Sequence, residues 1–369
     1  MCLTPYLIKN DFLVYFLKTK YDSINFANKG SGIPHVKPEM FWNIEVPLPP
    51  LNEQKRIVEK LDKLLAKVEA AKERLDKIPG ILRKYRQSVL HAAVTGELTK
   101  DWRKKNNKDF DWQKRLLKDI SDLRLGKMLD KAKNKGTNTK YLRNINVRWF
   151  SFNLDDLADI KTTKEEKEKL DIKNGDLLVC EGGEPGRCAV WEGGRNNLTF
   201  QKAIHRVRAH KNISPKWIAY NLKNDADNRE LEKYFTGTTI KHLTGKSLKL
   251  YEIQIPPLEE QKEIVNRVEK FLSKADEIEA RYKKAKEHVD KLSQSILAKA
   301  FRGELVPQDP NDPPAFELLE KIKYEKLVTK ENLIKKRRAG EPAEKLLERI
   351  KVEKETVEKK KKRPIKRHK

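Results

Sequence analysis

Residues 48–58 read LPPLNEQKRIV and residues 255–265 read IPPLEEQKEIV, the same phrase 207 positions later. A duplicated unit governs architecture before any single residue does, so its extent is the first question. The register holds without a gap over 48–98 against 255–305, with 21 of 51 positions identical. Both copies close on related words, SVLHAAVTGEL at 88–98 and SILAKAFRGEL at 295–305. The echo also runs upstream, where Gly30, Ile33, His35 and Glu45 match Gly237, Ile240, His242 and Glu252 at the same offset. The repeat is therefore the end of a folded segment followed by an arm.

The apolar residues say what the arm is. In the first copy Ile57, Leu61, Leu64, Val68, Ala71, Leu75, Ile78, Leu82, Tyr85 and Val89 fall at alternating steps of four and three, a coiled-coil seam. The second copy repeats it with Ile264, Val268, Phe271, Ala275, Ile278, Tyr282, Ala285, Val289, Leu292 and Ile296. Some forty helical residues make a rod of roughly 60 Å. Two rods with matching stripes need partners, and each is the other's nearest candidate. Pro50 and Pro257 stand where a helix can begin without losing a hydrogen bond. Gly96 and Gly303 mark the stops. Pro79-Gly80 is expected to kink or break the first arm, while Lys286-Glu287 lets the second run straight.

The formal charge of +26 on 369 residues is far more than solubility requires and points to a polyanion as partner. Residues 321–369 carry 20 Lys and Arg against 8 Asp and Glu, so removing that surplus of 12 leaves about +14 elsewhere. The tail reads as a charged helix fraying into a solvated run. Cys2, Cys180 and Cys188 are too few for a disulfide framework, which argues for a reducing cytoplasm. No run approaches eighteen apolar residues, and the N-terminus is not signal-like, so a membrane is not expected.

Between the arms the texture changes to short apolar runs broken by glycine. Residues 176–180 and 187–191 flank the turn EGGEPG and read as a hairpin. Residues 200–208 alternate like a half-buried strand with Lys202, His205, Arg206 and Arg208 as its polar members. Helices are expected over 112–125, 164–170 and from Pro215 through Leu222. The fold class is mixed α/β: one globule of about 150 residues flanked by two long helices whose stripes pair as a coiled coil.

Catalytic signatures do not appear. Cys180 and Cys188 face each other across the hairpin in this reading, but no second pair or histidine cluster stands at zinc spacing. The sequence contains no G-x-S-x-G, H-E-x-x-H, G-x-x-x-x-G-K-[ST] or G-x-G-x-x-G. Asp312-Pro313-Pro314-Ala315 approaches the acidic-Pro-Pro-aromatic loop that holds a flipped base, yet Ala315 stands where the aromatic would stack.

The duplicated PPLxEQKxIV, the S-[VI]-L-x-x-A-x-x-G-E-L at the end of each arm, the hairpin GDLLVCEGGEPGRCAVW and the exit GELVPQDP at 303–310 resemble the specificity subunits of type I restriction-modification systems. The resemblance covers nearly all of residues 30–320. It implies that the two arms form an antiparallel coiled coil, and that the chain is a non-catalytic subunit that reads half of a split double-stranded DNA site and binds methyltransferase subunits on this helical frame, with a restriction subunit joining through them. It places S-adenosylmethionine on the methyltransferase partner and no cofactor or metal on this chain. The expected domains are a remnant of a first recognition domain (1–47), the first arm (48–100), a recognition domain (101–254), the second arm (255–305) and a basic tail (306–369). Only about 47 residues precede the first arm, so the resemblance implies that most of a first reading head is absent from this chain. A separate chain, a second copy or nothing supplies it, and the remnant is expected to fold poorly. A helix at 12–20 resembles 217–223 with a shift of two residues.

Candidates for DNA contact, from residue type in polar, turn-rich stretches, are Lys127, Lys140, Arg143, Asn144, Asn146, Arg148, Arg187, Arg195, Asn196, Lys202, Thr238, Thr239, Lys241 and His242. His205 reads as structural. Gly237-Thr238-Thr239 and its counterpart Gly30-Ser31-Gly32 read equally as a tight turn or as a loop for close approach to a DNA backbone. Two other classes compete with the specificity reading: a coiled-coil assembly protein whose globule binds protein, and an inert fragment of a specificity subunit.

Overall fold

The computed structural model describes residues 8–21, 44–108, 111–130, 132–193 and 197–337. A short helix, α1 (Asn10–Thr19), precedes α2 (Leu51–Val94), a helix of 44 residues. Then come α3 (Lys100–Lys105), β1 (Gln113–Leu116), the single turn α4 (Leu117–Ile120) and β2 (Ser121–Leu125). Five further segments follow: β3 (Thr137–Leu142), β4 (Val147–Arg148), β5 (Ser151–Phe152), β6 (Ala158–Thr162) and α5 (Lys164–Lys169). The hairpin is β7 (Leu177–Cys180) and β8 (Cys188–Val190), followed by β9 (Leu198–Phe200), β10 (Ile204–Ala209) and α6 (Pro215–Asp227). The last elements are α7 (Gly245–Lys249), β11 (Glu252–Ile255), α8 (Leu258–Phe301), also 44 residues, and α9 (Ala315–Arg337).

Both arms start directly after their proline, as the missing N–H allows. They end the same way: Gly96 and Gly303 adopt φ of 77° and 78°, the left-handed conformation that turns a chain off a helix end. Gly96 N donates to Ala93 O and Gly303 N to Ala300 O. α2 runs through Pro79 as one helix, so the proline does not break it. One proline removes one hydrogen bond, and the long helical flanks carry the strand of backbone across that gap.

The chain divides into two units, residues 1–75 with 284–369, and residues 76–283. In the first, the start of α2 lies against the end of α8, so the helices are antiparallel. Ile57, Leu61, Leu297 and Ala300 form its core with Phe12 of α1, and Phe12 and Phe16 both meet the Phe301 ring edge-on at 5.2 Å. Helix α1, from the described part of the N-terminal remnant, is thus packed on this core. Arg56 and Asp312 close this unit with a 2.6 Å ion pair.

In the second unit the start of α8 lies against the end of α2, and the core residues Ile264, Val268, Leu90, Ala93 and Trp217 answer position for position. Trp217 takes the role of Phe12, which realises the two-residue shift: the helix equivalence runs at 205 rather than 207. A four-stranded antiparallel sheet in the order β2-β10-β7-β8 rises from this core. One face, with Leu177, Val179, Cys188 and Val207, packs on α6 and the arms. The other face, with Leu178, Cys180, Ala189 and Ile204, packs on Leu142, Phe200 and Trp191 beside the small sheet β6-β3-β9. Both faces being covered, β7 is apolar at every position.

Three local readings change. Residues 112–125 form β1, one helical turn and β2, because β1 pairs with β11 and β2 with β10, and long-range pairing overrides a helix-like spacing of leucines. Residues 200–208 split into β9 and β10 in different sheets, and the β10 side chains from Ile204 to Val207 are all buried. The two cysteines do not face each other. Cys188 pairs with Val179, which sends Cys180 to the opposite face by strand alternation, and both thiols are free and buried.

Candidate nucleic-acid interface

Five connections meet at one edge of the globule: the residues after β2, the 143–146 turn after β3, the β7–β8 turn, the β9–β10 turn and the 236–242 loop ahead of α7. Their backbones and amides hold one another. Lys127 N donates to Phe200 O and Lys202 N to Lys127 O, each at 2.9 Å. Asn144 N donates to Gln201 Oε1 at 2.9 Å, and Asn144 Nδ2 to Gly182 O at 2.6 Å. Arg187 Nη2 donates to the Asn144 carbonyl at 3.1 Å and to its Oδ1 at 3.0 Å. Glu181 N donates to Ala203 O at 2.9 Å, and Leu243 N to Glu181 O at 2.7 Å. The glycines of the turn serve close approach: a Cβ on Gly182 would stand 3.1 Å from His242 Nδ1.

Beneath this edge His205 is fully buried, its Nε2 3.2 Å from the Leu243 carbonyl and 3.4 Å from the Glu181 carboxylate. Burial pulls its pKa below the ordinary 6.5, against the opposing pull of Glu181. The neutral ring then donates to Leu243 O and ties β10 to the 236–242 loop, in line with the structural reading. Arg206 and Arg208 are structural too. Arg208 makes a two-pronged contact with buried Asp176 at 2.7 and 2.8 Å, and Arg206 bonds Asp171 at 3.0 Å.

The 236–242 loop is a miniature hairpin. Thr236 and His242 exchange both backbone hydrogen bonds, at 2.8 and 2.9 Å. Gly237 has φ of 90°, and a Cβ there would sit 2.3 Å from Ile240 O, so only glycine fits. Residues 237–241 form an exposed tip.

The candidates sort accordingly. Lys127 Nζ is held by Glu166 at 2.5 Å, Arg143 by Asp156 at 2.5 Å, and Arg187 by Glu184 and Asn144. Asn146 is buried and donates to the carbonyls of Asn153 and Asp156. These four, with Asn144, brace the edge. Lys140 is exposed beside Asp159 on the small sheet. Arg148 is exposed on β4, and Lys202, Thr238, Thr239 and Lys241 are exposed on the edge itself, with His242 half-buried at the hairpin base. Arg195 and Asn196 lie outside the described residues, as do Gly30, Ser31 and Gly32. Gly182 and Gly183, turn glycines by sequence, stand against His242 and Asn144, whereas sequence reasoning passed over Gln201, which positions Asn144; its place in a polar turn beside a strand was the available signal.

A second concavity, about 530 Å³, is lined by Arg83, Arg86, Trp149, Phe150, Lys223 and Asp276 among others. Within it Arg86 pairs with Asp276 and Glu279, and Lys223 with Asp227. Among the described residues no cluster of His, Cys, Asp and Glu suits a metal ion, and no helix is long and apolar enough to cross a membrane.

The seam residues are placed unevenly. Ile57, Leu61, Val68, Leu82, Val89, Ile264, Val268 and Ala275 are buried, and Leu64, Leu75, Phe271, Tyr282, Val289 and Ile296 are partly so. Ile278 and Leu292 are 48% and 45% exposed, and Tyr85 is exposed as well. A straight α-helix turns about 100° per residue, so a seven-residue repeat drifts by roughly 20° each time. Tyr85 and Leu292 stand 28 positions after Ile57 and Ile264, a drift of about 80°. Leu90 and Leu297 take over the buried stripe.

The family model described as "Type I restriction modification DNA specificity domain" matches residues 1–79 and 110–287. The type I restriction enzyme EcoKI specificity subunit of Escherichia coli (strain K12) is 35% identical over 345 residues, covering 88% of this chain and 73% of that protein. The EcoDI specificity subunit of Escherichia coli is 33% identical, covering 89% and 79%. In fold, the crystal structure of the HsdS subunit from Thermoanaerobacter tengcongensis matches with a TM-score of 0.51 at 20% identity, over 80% of this chain and 70% of that one.

Proposed function

Because this chain belongs to the family of type I restriction-modification DNA specificity subunits, we propose that its globule, residues 101–254, reads one half of a bipartite DNA site through the five-loop edge. The observation that carries this is the edge itself. Exposed Lys202, Thr238, Thr239 and Lys241 stand on loops that buried Asn146, His205 and the Asn144–Gly182 contact hold still. Such a surface offers phosphate and base donors without an ordering cost.

The arms α2 and α8 seat methyltransferase subunits, which supply S-adenosylmethionine and the methyl transfer, and a restriction subunit joins through them. This chain chooses the adenine and does no chemistry of its own.

The test is a methylation map of DNA from cells carrying this chain with its modification partner, against cells lacking the chain. A new methyladenine motif is the expected result. Two different half-sites imply a second reading chain, and two identical ones a pair of copies. No new motif, with the protein present, refutes the reading.

A further inference from the structure

Ile240 sits at the tip of the 236–242 hairpin and is 66% exposed, although its neighbours Thr238, Thr239 and Lys241 are polar. A single exposed isoleucine needs no explanation by itself. Two observations set this one apart. The base of the hairpin is over-determined, by the paired Thr236 and His242 backbone bonds, the Leu243 N to Glu181 O bond and His242 against Gly182, so the tip is presented on a fixed support. And Ile33 occupies the matching position in the upstream echo of the repeat, between the counterparts of Gly237 and His242. Core packing does not account for an isoleucine that recurs where the described copy faces solvent.

We propose that Ile240 makes an apolar contact with a base of the target DNA, of the kind a thymine methyl or a partly unstacked step offers, while Lys241 holds an adjacent phosphate. The inference rests on the specificity reading and adds to it a discriminating residue of a type that charge and hydrogen-bonding arguments overlook. Apolar side chains carry sequence information at thymine methyls in the major groove and as wedges at opened steps. An isoleucine contact of this kind is indifferent to salt, whereas a lysine contact with phosphate is not.

The test uses the full-length chain in complex with its methyltransferase. Binding is measured to a duplex carrying the mapped motif and to one with that motif scrambled, at two salt concentrations. Ile240→Ala is expected to weaken binding to the motif by about tenfold or more. It should leave the scrambled duplex, the salt slope and the thermal midpoint unchanged, and Ile240→Val should retain most of the preference. Lys241→Ala should instead weaken both duplexes and flatten the salt slope by about one. The proposal is overturned if Ile240→Ala binds the motif as the parent does, or loses both duplexes equally. Failure of the broader reading looks different: the parent complex itself then shows no preference for the motif, and the inference falls with it.

Discussion

At His205 the ring nitrogen lies beside a carbonyl and a carboxylate in one buried site, so its titration bears on stability. The folded pKa lies below the ordinary 6.5, so as pH falls the unfolded chain takes up the proton first. The stabilisation is complete above about 6.5 and is lost as pH falls through the folded value. Thermal midpoints between pH 7.5 and 5 should therefore drop more steeply for the parent than for His205→Gln, which keeps an N–H donor and does not titrate. Equal slopes would remove His205 from the account. Gly237→Ala forces a Cβ to 2.3 Å from Ile240 O at φ of 90°. It should cost about 1–3 kcal/mol locally, seen as lost preference for the motif with little change in global unfolding. The sequence contained the alphabet of this edge but not its grammar. Asn144, Asn146 and Arg187 read as DNA ligands by type, and only their partners reveal them as braces.

The repeated Glu-Gln of the two helical arms shows its use at the scale of elements. Gln54 and Gln261 are fully buried just inside the helix starts. Gln54 Nε2 donates to Pro49 O at 2.9 Å, and its Oε1 accepts from Lys9 N at 3.0 Å. Gln261 Nε2 donates to Pro256 O at 2.8 Å, and its Oε1 accepts from Ser214 N at 2.8 Å. Lys9 and Ser214 are the residues that immediately precede α1 and α6, so in each copy one glutamine pins the incoming helix to the arm. Replacing either by leucine strands buried donors and acceptors, at about 1–3 kcal/mol for each group; chemical denaturation should place both variants several kcal/mol below the parent. On the arms themselves, Ile264→Asp buries an unpaired charge and should unfold its unit. Ile278→Asp and Leu292→Asp, at half-exposed positions, should stay within about 0.5–1 kcal/mol, as circular dichroism melts will show. The heptads were legible because apolar spacing within one helix is local. The strand pairing that converts 112–125 depends on partners far along the chain.

For the molecule as a whole, charge announces a polyanion and nothing finer. Residues 338–369 hold 13 Lys and Arg against 6 Asp and Glu, so deleting them takes 7 from the formal +26 and leaves +19. That deletion should weaken binding to scrambled DNA and reduce its salt dependence while leaving the methylated motif unaltered. A changed motif would give the tail a part in reading. The duplication itself was visible in the first eleven letters, since two matching arms announce two matching corners. Its deeper consequence concerns inheritance. An in-register crossover between the two repeats removes 207 residues and leaves one arm with Ile57 and Leu61 near its start and Leu297 and Ala300 near its end. These are both halves of one core, now on a single helix, with Leu61 and Leu297 separated by 29 residues or about 44 Å. A helix cannot fold back on itself to join them, but two such molecules laid head to tail complete each other twice. Recombination between the repeats would thus yield a shorter protein that folds only in pairs, and whose unfolding midpoint rises with its concentration.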